Sequence, residues 1–161
     1  MVVANAVRIR EYAPADRDAV MALAQRLTEG VAGWRDPAAV LTTVQAWITS
    51  AADTAGQPDH VVYVAVDDDR VVGVVAAAER EHFTGQIDAY VGELITAAGM
   101  ERRGIARALM AAAEAWGAAR GLGYLTLETG AANQTARAFY ATLGYLEEDV
   151  RLTKKIRTET G

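Results

Sequence analysis

The chain has 161 residues, a hydrophobic fraction of 52% and a formal net charge of −5, which fits one domain, spanning 1–161, with a core large enough to fold. It has no cysteine, so disulfides and thiolate metal sites are excluded and a cytoplasmic location is expected. Its acidity speaks against general nucleic-acid binding, no apolar run reaches the about 18 residues of a membrane span, and MVVANAVRIRE has no leader pattern.

The charge is uneven: residues 1–100 carry 7 Arg and 14 acids, residues 101–161 carry 9 Lys or Arg and 7 acids. A local basic patch in the second half is able to hold a phosphorylated cofactor. Taken in chain order, Val7 to Tyr12 alternates apolar and polar residues and predicts a strand. Pro14, Asp16 and Asp18 suit the start of a helix with Val20, Leu23, Ala24 and Leu27 on one face. Asp36 and Pro37 cap a second helix bearing Val40, Leu41, Val44, Trp47 and Ile48. Ala51 to Asp59 reads as a loop. Val61 to Val66, the polar turn Asp67 to Arg70, and Val71 to Ala78 read as a hairpin of mostly buried strands.

Ala89 to Thr96 is a further strand. From Gly104 the pattern turns helical, with Ile105, Leu109, Ala112, Trp116 and Ala119 on one stripe. Tyr124 to Thr129 is a strand, Thr135 to Leu143 a helix ended by Gly144, and the segments from Tyr145 and from Val150 to Ile156 read as closing strands. The order predicts an α/β (α+β) fold with a mixed, mostly antiparallel sheet of six to seven strands and about four helices.

The segment TAAGMERRGIAR, residues 96–107, joins a buried strand to an amphipathic helix. A small-residue turn at a helix start offers free N–H groups and the positive end of a dipole. Gly104 and Ala106 lack the bulk that would hold a phosphate away, and Arg102, Arg103 and Arg107 add positive charge. On local physics this is either a diphosphate cradle or an ordinary strand-to-helix turn with solvated arginines.

Arg103 to Ala106 resembles the acetyl-CoA motif (Gln/Arg)-x-x-Gly-x-(Gly/Ala) of the GNAT superfamily of N-acetyltransferases. Asn133 to Tyr145 resembles that family's Asn-x-x-Ala-x-x-Phe-Tyr helix with its following glycine and aromatic residue. Over residues 7–156 the order of elements matches too. One position departs: Glu101 stands where the family has Gln or Arg, and an acid beside a diphosphate is unfavourable unless it faces solvent.

The resemblance implies acetyl-CoA as co-substrate, no metal, and acetyl transfer to a primary amine, with a small cationic molecule as acceptor because the front half is acidic. Backbone groups of Leu94, Ile95 and Thr96 would line the pantetheine arm and acetyl carbonyl, where the strand bulges and splays from the next. Glu101, Arg102, Arg103, Gly104, Ile105, Ala106 and Arg107 would wrap the diphosphate. Asn133 would bind the cofactor, with Ala136 and Arg137 near it, and Tyr140 would be the acid aimed at the sulfur.

Each role has a plainer reading. Asn133 is an N-cap, a cofactor ligand or both; Tyr140 fits a core stripe with Phe139 and Leu143 as well as an acid. Glu93 is the candidate base as the only carboxylate in AYVGELIT, yet strict alternation would put it opposite Tyr90, leaving water, Glu79 or Glu81. His60 and His82 read as surface residues, and Asp67 to Asp69 as a solvated turn and not a cation site. A non-catalytic acyl-CoA-binding or regulatory domain, and a protein N-terminal or lysine acetyltransferase, are the alternative functions. A homodimer is allowed by an exposed closing hairpin; no nucleic-acid or membrane partner is expected.

Overall fold

The computed structural model describes residues 6–157; residues 1–5, where the absence of a leader was judged, and 158–161 lie outside it. The strands are β1 (Arg8–Glu11), β2 (His60–Asp67), β3 (Arg70–Glu81), β4 (Ile87–Thr96) and β5 (Leu125–Leu127). The helices are α1 (Arg17–Leu23), α2 (Pro37–Thr54), α3 (Ile105–Ala119) and α4 (Gln134–Thr142). Short 3-10 turns, Pro14–Asp16 and Ala24–Thr28, flank α1. The strands lie in sequence order; β1 to β4 pair antiparallel, and β4 pairs with β5 in parallel.

The local signals explain the elements. Asp36 accepts a hydrogen bond from the Ala39 amide at 2.9 Å, and Pro37 opens α2, so one orphan donor of the first turn is satisfied. The β2–β3 hairpin turns through Asp68 and Asp69, both with positive φ (45° and 63°), a pair of left-handed residues whose twist suits a two-residue hairpin.

The sheet is buried on both faces, which is why β2 and β3 read as near-continuous apolar runs. Val61, Ala65, Val72, Val75, Ala77 and Val91 pack under α3 through Ile105, Leu109, Met110 and Ala113. Val62, Val64, Val66, Val74, Ala76 and Ile95 pack on the other face against Val20, Ala24 and Ile48. Burial of this kind is worth roughly 25 cal/mol per Å² of apolar surface, so the two layers fix the position of β4 between them.

Several expectations need correction. The sheet has five strands among the described residues; residues 145–157 form none. Leu146, Val150, Leu152 and Ile156 are 92%, 77%, 90% and 90% exposed, so the alternation from Tyr145 onward is a strand pattern without a partner strand among the described residues. Helix α2 runs on to Thr54 and shortens the loop expected from Ala51. Trp47 is 51% exposed; the buried face is Val44, Ile48 and Ala52. On α3 the buried stripe is Ile105, Leu109, Met110, Ala113 and Gly117, one position round the helix from Ala112, Trp116 and Ala119.

Candidate functional site

Strand β4 changes character halfway. Its register against β3 runs Ala78↔Tyr90, Ala77↔Val91, then Ala76↔Glu93, so Gly92 is an extra residue, a β-bulge. The ladder to β5 ends at the same place, with Val91↔Leu127 its last pair. Beyond the bulge, Glu93 to Thr96 stay paired to β3 and have no strand on their other side among the described residues. The splay leaves main-chain groups of β4 able to bind an extended ligand.

The bulge corrects the expected facing of Glu93. Residues paired across a ladder share a face, and Ala76 and Ala78 lie on the same face of β3. Tyr90 and Glu93 therefore share one face, with Ile95. The Glu93 charge accordingly contributes to raising the Tyr90 phenol. Glu93 has no hydrogen-bond or ion-pair partner among the described residues, and burial alone pushes its carboxyl up from 4.5 to about 7.

A cleft of about 450 Å³ opens at the splay. It is lined from β4 by Leu94 and Thr96, from the turn into α3 by Glu101 and Ala106, and from α4 by Asn133, Ala136, Phe139 and Tyr140, with Arg26 and Glu29 opposite. In the turn, Gly99, Arg102 and Gly104 adopt left-handed backbone (φ 79°, 61° and 75°). Gly104 is the N-cap of α3, and no side chain caps that helix. A residue with a Cβ would be strained there. Among the described residues the amides of Arg102 to Arg107 have no acceptor, so they remain free donors at a helix N-terminus.

Helix α4 brings the second half of the site. Asn133 is its N-cap, its Oδ1 accepting from the Ala136 amide at 3.1 Å, and it lines the cleft as well. Tyr140 packs beside Phe139 and Tyr145, with ring centroids 5.2 and 5.7 Å away. Its hydroxyl has no hydrogen-bond partner among the described residues, and burial pushes its pKa up to about 12. Both plain readings of these residues are therefore real: Asn133 caps, Tyr140 packs, and each also borders the cleft.

A scan against family models matches residues 20–145 to the Acetyltransferase (GNAT) family. The chain belongs to the GNAT family. Solved structures with the same fold include a putative acetyl transferase from Pyrococcus furiosus, 18% identical with a TM-score of 0.74, matched over 93% of this chain and 99% of that one. The aminoglycoside acetyltransferase AAC(6')-Iy, in complex with a bisubstrate analogue of coenzyme A, is 17% identical with a TM-score of 0.70 over 94% and 99%. The apo 6'-N-acetyltransferase AAC(6')-IG from Acinetobacter haemolyticus is 17% identical with a TM-score of 0.65 over 93% and 99%. No curated protein sequence matches the chain.

Within this GNAT chain the cleft gathers Leu94, Thr96, Glu101, Ala106, Asn133, Ala136 and Tyr140 of the residues singled out from sequence. Others stand apart from it. The side chains of Ile95 and Ile105 are core, 3% and 2% exposed. Arg103 turns to Asp67 at 3.1 Å and to the Met100 sulfur. Arg137 donates to Glu147 and to the Ala131 carbonyl. Arg102 and Arg107 are exposed, without an ion pair among the described residues. Glu93 lies outside the cleft lining. His60 and His82 are half-buried and pair with Asp59 and Thr84 in contacts open to solvent.

No motif assigns Arg26 or Glu29 to the cleft, and Thr135 and Phe139, on the motif helix, line it without an assigned role. Arg26 reaches Glu101 at 2.9 Å, 75 residues away in the chain, a pairing no local pattern encodes. The segment after Arg26 is seated on α4. A Cβ on Gly30 would stand 2.4 Å from Asn133 Cβ, and one on Gly130 would stand 2.2 Å from the Gly30 carbonyl oxygen. Glycine at both positions lets this segment cross the cleft closely.

Proposed function

We propose that this chain is an acetyl-CoA-dependent N-acetyltransferase acting on the primary amine of a small cationic molecule. The observation that carries the reading is the coincidence of free amides, splayed β4 and Tyr140 around one cleft. The unpaired amides of Arg102 to Arg107 suit a diphosphate, with Arg102 and Arg107 available as cations beside them. The edge of β4 at Leu94 to Thr96 suits the amide-bearing pantetheine arm. Asn133 and Ala136 border the same space. A cationic acceptor is supported by the acidic first hundred residues and by the resemblance in fold to aminoglycoside acetyltransferases.

Acetyl-CoA supplies the activated acyl carbon: the amine nitrogen forms a bond to it, the carbon–sulfur bond breaks, one proton leaves nitrogen and one reaches sulfur. An alkyl amine is neutral in only about one molecule per thousand at pH 7. Glu93, ionised above about pH 7, takes the amine proton directly or through water. An amide of the free β4 edge stabilises charge on the carbonyl oxygen. Tyr140 keeps its proton throughout the neutral range and donates a hydrogen bond to the departing sulfur.

The exposed arm from Val150 to Ile156 suits a second copy of the chain, since the outer edge of β5 carries no strand among the described residues. The arm carries Arg151, Lys154 and Lys155, whereas the whole chain stands at −5, so it complements an acidic body. Sedimentation should give a dimer that a chain ending at Asp149 loses. A full-length monomer at high micromolar concentration would refute this.

The function is tested by thermal shift and by release of free CoA over a panel of amines. At about a hundred times its dissociation constant, acetyl-CoA should add about 2.7 kcal/mol, a rise of roughly 5–10 °C for a domain of this size. Cofactor binding with no turnover on any amine would favour the non-catalytic alternative; no shift at millimolar acetyl-CoA would sink the reading.

A further inference from the structure

Arg26 is the one cation among the cleft-lining residues, and it sits between two acids: its guanidinium meets Glu101 at 2.9 Å and Glu29 at 3.2 Å. Glu101 belongs to the turn whose amides are otherwise free. Its carboxyl is held below the usual carboxylate range, first by its own peptide N–H, and also by the Arg26 charge and the Gly99 N–H. A carboxylate of the turn therefore already holds the one cation that lines the cleft. The segment from Arg26 to Gly30 runs from this ion pair to the Asn133 cap, against which Gly30 is pressed.

We propose that Arg26 is a phosphate-binding residue of the cleft and that Glu101 is its gate, an internal anion that an incoming diphosphate must displace. This rests on the acetyl-CoA reading above and deepens it. When a diphosphate reaches the turn, it and Glu101 compete for the same cation, and like charges at that range repel. Arg26 then passes from carboxylate to phosphate, a partner its planar fork also fits. Glu101, 49% exposed, has solvent to swing into.

A plain structural latch makes the opposite forecast. If the pair only ties the 3-10 turn to α3, removing either partner loosens the cleft, and removing the second costs nothing more. If the pair is a gate, Glu101→Gln removes the competitor and Arg26 still serves the phosphate.

The test is a double-mutant cycle on the dissociation constant of acetyl-CoA by calorimetry, with unliganded melting temperatures as a fold control. Glu101→Gln should bind about five- to tenfold tighter than the wild type, and Arg26→Gln about tenfold weaker, the scale of one charge-assisted contact. In the Glu101→Gln background, Arg26→Gln should cost at least as much as it does alone. Binding by Glu101→Gln that equals or falls below the wild type overturns the gate while leaving the acetyl-CoA reading intact. So does an Arg26→Gln cost that vanishes once Glu101 is gone. Should Arg26→Gln fail to fold, the Glu101→Gln arm alone decides. Absence of acetyl-CoA binding in wild type and Glu101→Gln alike overturns the function itself, and the gate with it.

Discussion

Tyr140→Phe should lower kcat about a hundredfold while leaving stability within about 1 kcal/mol of the wild type. The two halves of this expectation come from two halves of one side chain. The half-buried ring packs against Phe139, Tyr145 and the edge of the core, and phenylalanine keeps those contacts. The hydroxyl has no partner among the described residues, so its loss leaves no orphaned donor behind. A phenol raised to about 12 is a weaker acid than a thiol at about 8.5, so full transfer of its proton to a thiolate runs uphill. On the proposed function Tyr140 stabilises the departing sulfur as a hydrogen-bond donor and keeps its own proton. The loss is for that reason placed at the low end of general-acid effects, which span about 10²- to 10⁴-fold. Steady-state kinetics with saturating amine, beside a melting curve, checks both halves. An unchanged kcat makes Tyr140 a packing residue only; a collapse in stability means the hydroxyl has a structural partner.

What was legible in the sequence was what local rules encode. Asp36 and Pro37 mark the start of α2, the Asp68–Asp69 turn marks the β2–β3 hairpin, and Gly104 marks the start of α3. Those signals act over a few residues, and the fold keeps them. The half of the cleft built by the two motif segments was also legible, because Glu101, Ala106, Asn133, Ala136 and Tyr140 lie on the elements the motifs define. What was not legible depends on neighbours distant in the chain. Gly92 turns into a bulge only when β4 is read against β3, and that one extra residue moves Glu93 to the face of Tyr90. Arg26 enters the cleft only because the 3-10 turn after α1 folds over the turn into α3. The closing strands failed for the complementary reason. Alternation from Leu146 to Ile156 specifies a strand's faces, but a strand also needs an edge to pair with, and nothing local says whether its own chain supplies one.

Glu93→Gln should make the protein more stable above pH 7 and less active there. In the folded chain burial raises the Glu93 carboxyl from 4.5 to about 7, so between those values the folded state holds a proton that the unfolded state has lost. The favourable contribution is thus complete below about pH 4.5 and is lost as pH rises through about 7. Above that the folded protein carries a half-buried carboxylate with no partner among the described residues, at a cost of the order of 2–3 kcal/mol. Glutamine has the same shape and no charge to desolvate. The variant should melt several degrees higher than wild type at pH 8 and alike at pH 4.5. The rate moves the other way. Wild-type kcat/KM, measured with an amine whose own ionisation is corrected for, should rise through about pH 7 as Glu93 becomes a base. The variant should lose that inflection and about two orders of magnitude of rate. A charge kept at a cost to stability is what a catalytic base looks like, since a carboxylate retained for structure would have been given a cation or an amide to rest on. A variant as active as wild type at pH 8, with the inflection intact, would hand the role to water or to the neighbouring acids on β3. One that gains no stability at pH 8 would mean that the carboxylate is solvated in the folded chain.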